Sequence, residues 1–174
     1  LEAIGVGVGP GSYTGIRLGV AVAQALAYAW HLPLVGISSM AGLVPSTACS
    51  RFASLIDARI GGVYFQKGRY EDNGLLSRTA PQVVPLDALG QHLEEVSLFV
   101  TPYAKGLQGK LAPLYPEKEW AWEERAPCAR IALQNIEAQY RAGQYKIPPE
   151  PLELLYLRQT EAERRRAQSE TERA

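Results

Sequence analysis

Gly9-Pro10-Gly11-Ser12-Tyr13-Thr14-Gly15-Ile16-Arg17 joins the apolar run Ile4-Gly5-Val6-Gly7-Val8 to a stretch ending at Trp30 in which Arg17 is the only charged residue. The run before it predicts a short buried strand over residues 3–8. The stretch after it predicts a helix over residues 14–30. Strand, glycine turn and helix N-terminus can form a phosphate cradle, because free backbone N–H groups and the helix dipole favour an anion there. The same residues also suit a strand that must turn sharply into a helix. On the first reading Gly11, Ser12 and Thr14 touch a phosphate, alone or across an interface. On the second, Ser12 or Thr14 is the N-cap that satisfies the first helical N–H groups.

The known nucleotide motifs do not fit the turn. A dinucleotide fingerprint starting Gly9-x-Gly11 needs glycine or alanine at position 14, which is Thr14. No Gly-Lys-Ser/Thr follows, so the P-loop pattern is missing too. Downstream, Pro33 and the apolar Leu34-Val35-Gly36-Ile37 predict a second strand, making a β-α-β crossover with parallel strands. Ser38 and Ser39 then suit the cap of a short apolar helix.

The helix itself carries small residues every fourth position: Gly15, Gly19, Ala23 and Ala27, with Ile16 and Val20 beside them. Such a stripe lets another helix approach closely. Two internal glycines cost roughly 1 kcal/mol each relative to alanine, which close packing would offset. The second helix belongs either to this chain or to a partner. The stripe residues are therefore the expected partner interface.

Beyond residue 47 the pattern predicts strands over 51–57 and 63–70, an Asp72-Asn73-Gly74 hairpin turn and a third strand over 75–84. A short helix over 86–93, a strand over 97–101 and a helix over 129–142 ending at Gly143 follow. Residues 102–127, broken by Pro102, Pro113, Pro116 and Pro127, read mostly as loop. The expected division is a first lobe over 1–47, a second over 48–158 and a charged tail over 159–174.

The 174 residues carry 18 basic and 18 acidic side chains, so no electrostatic footprint marks a nucleic-acid binder. Cys49 and Cys128 have no metal-type spacing and fit a reducing compartment. His31 and His92 lack a second ligand at helical spacing, and His31 suits a helix C-terminus. Gly36-Ile37-Ser38-Ser39-Met40 lacks the closing glycine of a nucleophile elbow. Asp57, with Arg59 two residues on, is the best lone acid, and it reads as a strand-end turn anchor. Nothing approaches the ~18 consecutive apolar residues of a membrane span. Leu1 enters a buried strand almost at once, so a longer natural beginning is expected.

Four stretches together resemble one family: Gly9 to Arg17; Pro33-Leu34-Val35-Gly36-Ile37-Ser38-Ser39; Leu55-Ile56-Asp57-Ala58-Arg59 with Gly62-Val63-Tyr64; and Leu155-Tyr156-Leu157-Arg158. They are similar to TsaB, also called YeaZ, a bacterial protein needed for threonylcarbamoyl modification of the tRNA adenosine next to the anticodon (t6A). The resemblance implies an α/β fold of the actin-like superfamily (sugar kinase, Hsp70 and actin, with ribonuclease H-like lobes), the first lobe incomplete here. It implies a non-catalytic subunit that binds and positions TsaD through helices of the first lobe, with the small ATPase TsaE completing the complex. It further implies no cofactor of its own, ATP and a metal on the partner subunit, and tRNA contact only through the complex. A cytoplasmic location, no membrane association and a homodimer through the same helix belong to that expectation. The alternative from another class is an actin-like ATPase or a glycoprotease-type peptidase.

Overall fold

The computed structural model describes residues 1–47, 51–59, 62–71 and 76–157. Two parallel strands, β1 (Ile4–Gly7) and β2 (Leu34–Ile37), pair from Ile4 opposite Leu34 to Gly7 opposite Ile37. The helix α1 (Tyr13–Trp30) connects them, as the crossover pattern predicts. Leu34 and Val35 are both fully buried although they point to opposite faces, so β2 is covered on both sides. One cover is α1, whose Ile16, Val20, Ala23 and Ala27 pack with Val8, Leu34, Val6 and Ile4. The other is α3 (Ala129–Arg141), which places Ala132, Ile136 and Tyr140 on Val35, Ile37 and Ala41. Past Gly143 (φ 73°) the chain runs along the outer edge of β2, where Leu34 and Lys146 exchange backbone hydrogen bonds of 2.8 and 2.9 Å.

The second sheet has the order β5-β4-β3-β7-β8, with β6 also paired to β4. Its strands are β3 (Phe52–Asp57), β4 (Gly62–Tyr70), β5 (Leu76–Arg78), β6 (Gln82–Pro85), β7 (Leu98–Thr101) and β8 (Ala121–Glu124). β3 and β4 are antiparallel, whereas β7 is parallel to β3 and β8 to β7. One face carries Ala53, Leu55, Val63, Phe65 and Phe99 beneath a 3-10 turn (Leu89–His92) and the helix α2 (Ala104–Leu111). The opposite face packs Phe52 and Val100 against Leu43, Val44 and Ile131.

Several expectations change. The run after Ser38-Ser39 forms turns (Ala41 N–H to Ser38 O, Leu43 N–H to Met40 O), not a helix. Gly42 and Pro45 leave too few residues to repay helix nucleation. Gly42 also lies against the backbone of Cys128, where a Cβ would come within 2.6 Å of the carbonyl oxygen. The strand expected over 75–84 divides into β5 and β6 around Pro81, and the helix over 86–93 shrinks to the 3-10 turn. Residues 102–127 are more ordered than their prolines suggest, since they hold α2 and β8. The packing also departs from the expected division at residue 48, because α3 and residues 146–157 return to the first sheet. The Asp72-Asn73-Gly74 turn, Cys49 and the charged tail over 159–174 lie outside the described residues.

Further contacts add to the packing of Leu43, Val44 and Ile131 on the second sheet. The Arg78 guanidinium on β5 donates to the Ala41 carbonyl (2.6 Å) and to Asn135 Oδ1 on α3 (2.7 Å). Leu157 reaches Met40, Ala58 and Tyr64, an apolar cluster drawn from both lobes.

Candidate interaction surface on the first helix

Ser12 starts α1: its extended backbone (φ −62°, ψ 123°) turns its hydroxyl onto the Gly15 N–H at 3.4 Å. Its carbonyl takes the Ile16 N–H at 2.8 Å. At the far end His31 is left-handed (φ 54°), and the Leu32 N–H returns to the Ala27 carbonyl at 2.9 Å. The turn before α1 is tied from two sides. Gly9 donates to Ser39 Oγ and accepts from the Ser39 N–H, while the Leu155 N–H bonds the Val8 carbonyl. Gly9 has φ 120°, and a Cβ there would lie 2.4 Å from the Leu155 carbonyl oxygen. The glycine turn therefore sits under the C-terminal segment. Of the three residues that suit a phosphate, Ser12 has its hydroxyl committed to the cap and Gly11 is half-buried; Thr14 is exposed.

Residues along α1 separate into two opposed rows. Ile16, Val20, Ala23 and Ala27 are buried in this chain's own core. Leu18, Val22, Ala25 and Ala29 repeat the same spacing two positions on, and all four are exposed, with Leu26 beside them. The expected stripe is thereby corrected. A step of four residues turns about 400° around the helix, so a row four apart drifts by about 40° each time. Over three steps Gly15 and Gly19 lie on the open side, while Ala23 and Ala27 have rotated onto the strands. Ile16 and Val20 are likewise internal. What stays open is the second row, which has the heptad spacing of a helix-pairing seam.

Gly19 tests how open that side is. A Cβ there would meet only Val6 Cγ2, at 4.0 Å. Gly19→Ala is expected to raise the stability of the isolated chain by about 0.5–1 kcal/mol through helix propensity alone, read as a higher urea midpoint. A lower midpoint would mean that the space is not free.

An aromatic and cationic cluster stands at the first turns of α1. Tyr13 stacks on Tyr156 with centroids 5.2 Å apart, and the Arg17 guanidinium carbon lies 4.1 Å from the Tyr13 ring centre. Arg17 Nε donates to the Tyr156 hydroxyl at 3.0 Å, which raises the pKa of the guanidinium. Sequence inspection missed this cluster because Tyr156 lies 139 residues from Arg17. The one available signal was a lone charge on an otherwise uncharged helix.

The other singled-out residues are dispersed. Asp57, at the end of β3, accepts the Arg59 N–H at 2.7 Å and pairs with Lys110 of α2 at 2.6 Å, the anchoring role expected of it. Partial burial pushes its carboxyl up. Lys110, the Arg59 N–H and the two positive charges outweigh that and hold it below its usual value. A lowered carboxyl stabilises the fold above its unfolded value near 4 and loses that contribution as pH falls through the folded value. Asp57→Asn is expected to cost about 0.5 kcal/mol at pH 7, kept small by solvent screening of a partly exposed pair. In urea titrations the difference should shrink as pH falls below the usual carboxylate range.

His31 is exposed, and His92 packs on the Phe65 ring 5.6 Å away. Ser38 and Ser39 spend their hydroxyls on the Met40 and Gly9 N–H groups. A groove of about 260 Å³ along β3, β4 and β5 is lined by Arg51, Lys67, Arg69 and Arg78 against Glu94 and Glu95, with Arg51 paired to Glu95. Among the described residues no three His, Cys, Asp or Glu side chains cluster as a metal site. No helix among them is long and apolar enough to cross a membrane.

Residues 1–108 match the family model described as TsaD: tRNA N6-adenosine threonylcarbamoyltransferase. The chain is 37% identical over 79 residues to the tRNA threonylcarbamoyladenosine biosynthesis protein TsaB of Escherichia coli strain K12, covering 43% of this chain and 34% of that protein. It is 41% identical over 85 residues to TsaB of Bacillus subtilis strain 168, covering 47% and 36%. The aligned region thus spans about a third of the length of these curated relatives. Among solved structures, YeaZ from Pseudomonas aeruginosa superposes with a TM-score of 0.72 at 23% identity, covering 90% of this chain and 75% of that one. The mixed sheets and that likeness fit the actin-like, ribonuclease H-like fold.

Proposed function

This chain belongs to the TsaB/YeaZ family, and from that premise we propose that it is a non-catalytic subunit of the machinery that installs threonylcarbamoyl on tRNA adenosine. Its task is to bind and position the TsaD subunit. The observation that carries this proposal is the exposed row Leu18, Val22, Ala25 and Ala29, set opposite the row that α1 uses for its own core. A helix with two apolar seams has one too many for a lone lobe. The second seam is suited to a helix of TsaD, the two packing side by side.

ATP and the metal are assigned to TsaD, TsaE completes the complex, and tRNA is contacted through the assembly, in the cytoplasm. Pairing with a second copy through the same seam competes with TsaD binding. The test is reconstitution: purified TsaD from the same organism, with TsaE, tRNA, ATP and the threonylcarbamoyl donor, with and without this chain. Modified nucleoside is expected only when the chain is present. Full modification without it would overturn the proposal, as would ATP hydrolysis by the chain alone.

A further inference from the structure

We propose that Arg17 is the charged anchor of the α1 seam, pairing with a carboxylate on the helix of a heterologous partner. This rests on the pairing proposed above and adds the chemistry of one contact within it.

Arg17 is the only charged side chain of the 18-residue helix, and it is placed against the dipole. Cations are favoured in a helix's last turn, whereas Arg17 sits near the positive N-terminal end. Its position on the helix puts it about 100° from Leu18, at the rim of the open face and not within it. It is exposed yet held in place. Tyr13 lies under the guanidinium and Tyr156 fixes Nε. Tyr156 is held in turn by the C-terminal segment, whose Leu152, Leu154 and Leu155 pack on Val8, Ile16 and Val20. Much of the side-chain entropy that a long cation loses on binding is therefore lost already in the free chain.

Among the described residues the two terminal amino groups of Arg17 have no acceptor and no carboxylate lies near. They form a planar fork facing solvent, the geometry that takes a carboxylate through two parallel hydrogen bonds. The helix contains no Asp or Glu, so α1 of a second copy has nothing to offer that fork. Charge complementarity therefore selects an unlike partner whose own helix carries an acid at the matching level. An apolar seam alone is permissive in register. A fixed cation at one end sets the register and direction of the pairing.

The experiment measures affinity for TsaD from the same organism by calorimetry, and self-association of the chain by sedimentation equilibrium. Arg17→Gln is expected to weaken the heterologous complex at least tenfold and to leave self-association unchanged. Arg17→Lys, which keeps the charge and loses the fork, should fall between. Tyr156→Phe keeps the guanidinium but frees it, and a two- to fivefold loss is expected; it serves as the test should Arg17→Gln fold poorly. Val22→Glu is the control for the seam. If Val22→Glu abolishes binding while Arg17→Gln stays within twofold of the parent, the role of Arg17 is overturned and the seam stands. If Val22→Glu also binds normally, the seam proposal itself falls. Equal weakening of self-association by Arg17→Gln would name a second copy as the partner. Lost tRNA retention with unchanged protein affinity would assign Arg17 to a phosphate. Either result overturns the carboxylate.

Discussion

Phe99→Ala is expected to destabilise the chain by about 3–5 kcal/mol, read as a large fall in urea midpoint. Phe99 is completely buried on β7, and two tryptophans close over it: Trp120 with its ring centre 5.2 Å away and Trp122 edge-on at 4.8 Å. Leu107 and Leu111 of α2 complete the cluster. Truncation leaves a cavity that rigid aromatic neighbours cannot easily fill. A single domain holds only about 5–15 kcal/mol in total, so this one change takes much of the margin. Amide exchange should show α2 and β8 losing protection first, since both depend on this cluster more than on their own residues. A loss below about 1 kcal/mol would show that the Phe99 cluster does not hold the second sheet together.

Val22→Glu is expected to leave the isolated chain folded and to weaken the complex with TsaD by at least two orders of magnitude. Val22 is half exposed and belongs to none of the buried clusters, and glutamate is the better helix former. No stability is lost in the free chain on either count. In the complex, the same carboxylate would have to leave water and enter an apolar seam without a partner. The effective penalty for such a group is several kcal/mol, whereas a hundredfold weakening corresponds to about 2.7 kcal/mol. Ala27→Glu provides the contrast. Ala27 is fully buried against β2, so that variant should fail to fold rather than fail to bind. Normal TsaD affinity for a folded Val22→Glu chain would remove the seam from the interface.

The first lobe was legible because each of its signals is local. Ile4 to Val8 and Leu34 to Ile37 are unbroken apolar runs, and Pro33 stops the helix between them. Ser12 caps α1 within three residues of itself. α2 and β8 were hidden for the opposite reason. The sequence Ala104-Lys105-Gly106-Leu107-Gln108-Gly109-Lys110-Leu111 has two glycines in one short helix. Ala121-Trp122-Glu123-Glu124 is too short and charged to announce a strand. Both are held by what they touch. Glu124 accepts the Ala104 N–H at the start of α2 (2.8 Å), and β8 pairs along β7. Gly15, Gly19, Ala23 and Ala27 do not share one face, because four-residue spacing precesses around a helix.

Composition, spacing and the glycine turn by themselves determined the parallel crossover and the uncharged helix, while the family resemblance rests on four motif stretches spread along the chain. The crossover and the helix depend on backbone preferences and apolar periods that act within a dozen or so residues. Tertiary structure alone decided which side of α1 is open, since α1 is apolar all round and only the position of β1 and β2 distinguishes its two seams. It also brought Tyr156 onto Arg17, a contact made by a segment that leaves the second sheet and returns to the first. Long-range packing chose between faces that local chemistry leaves equivalent.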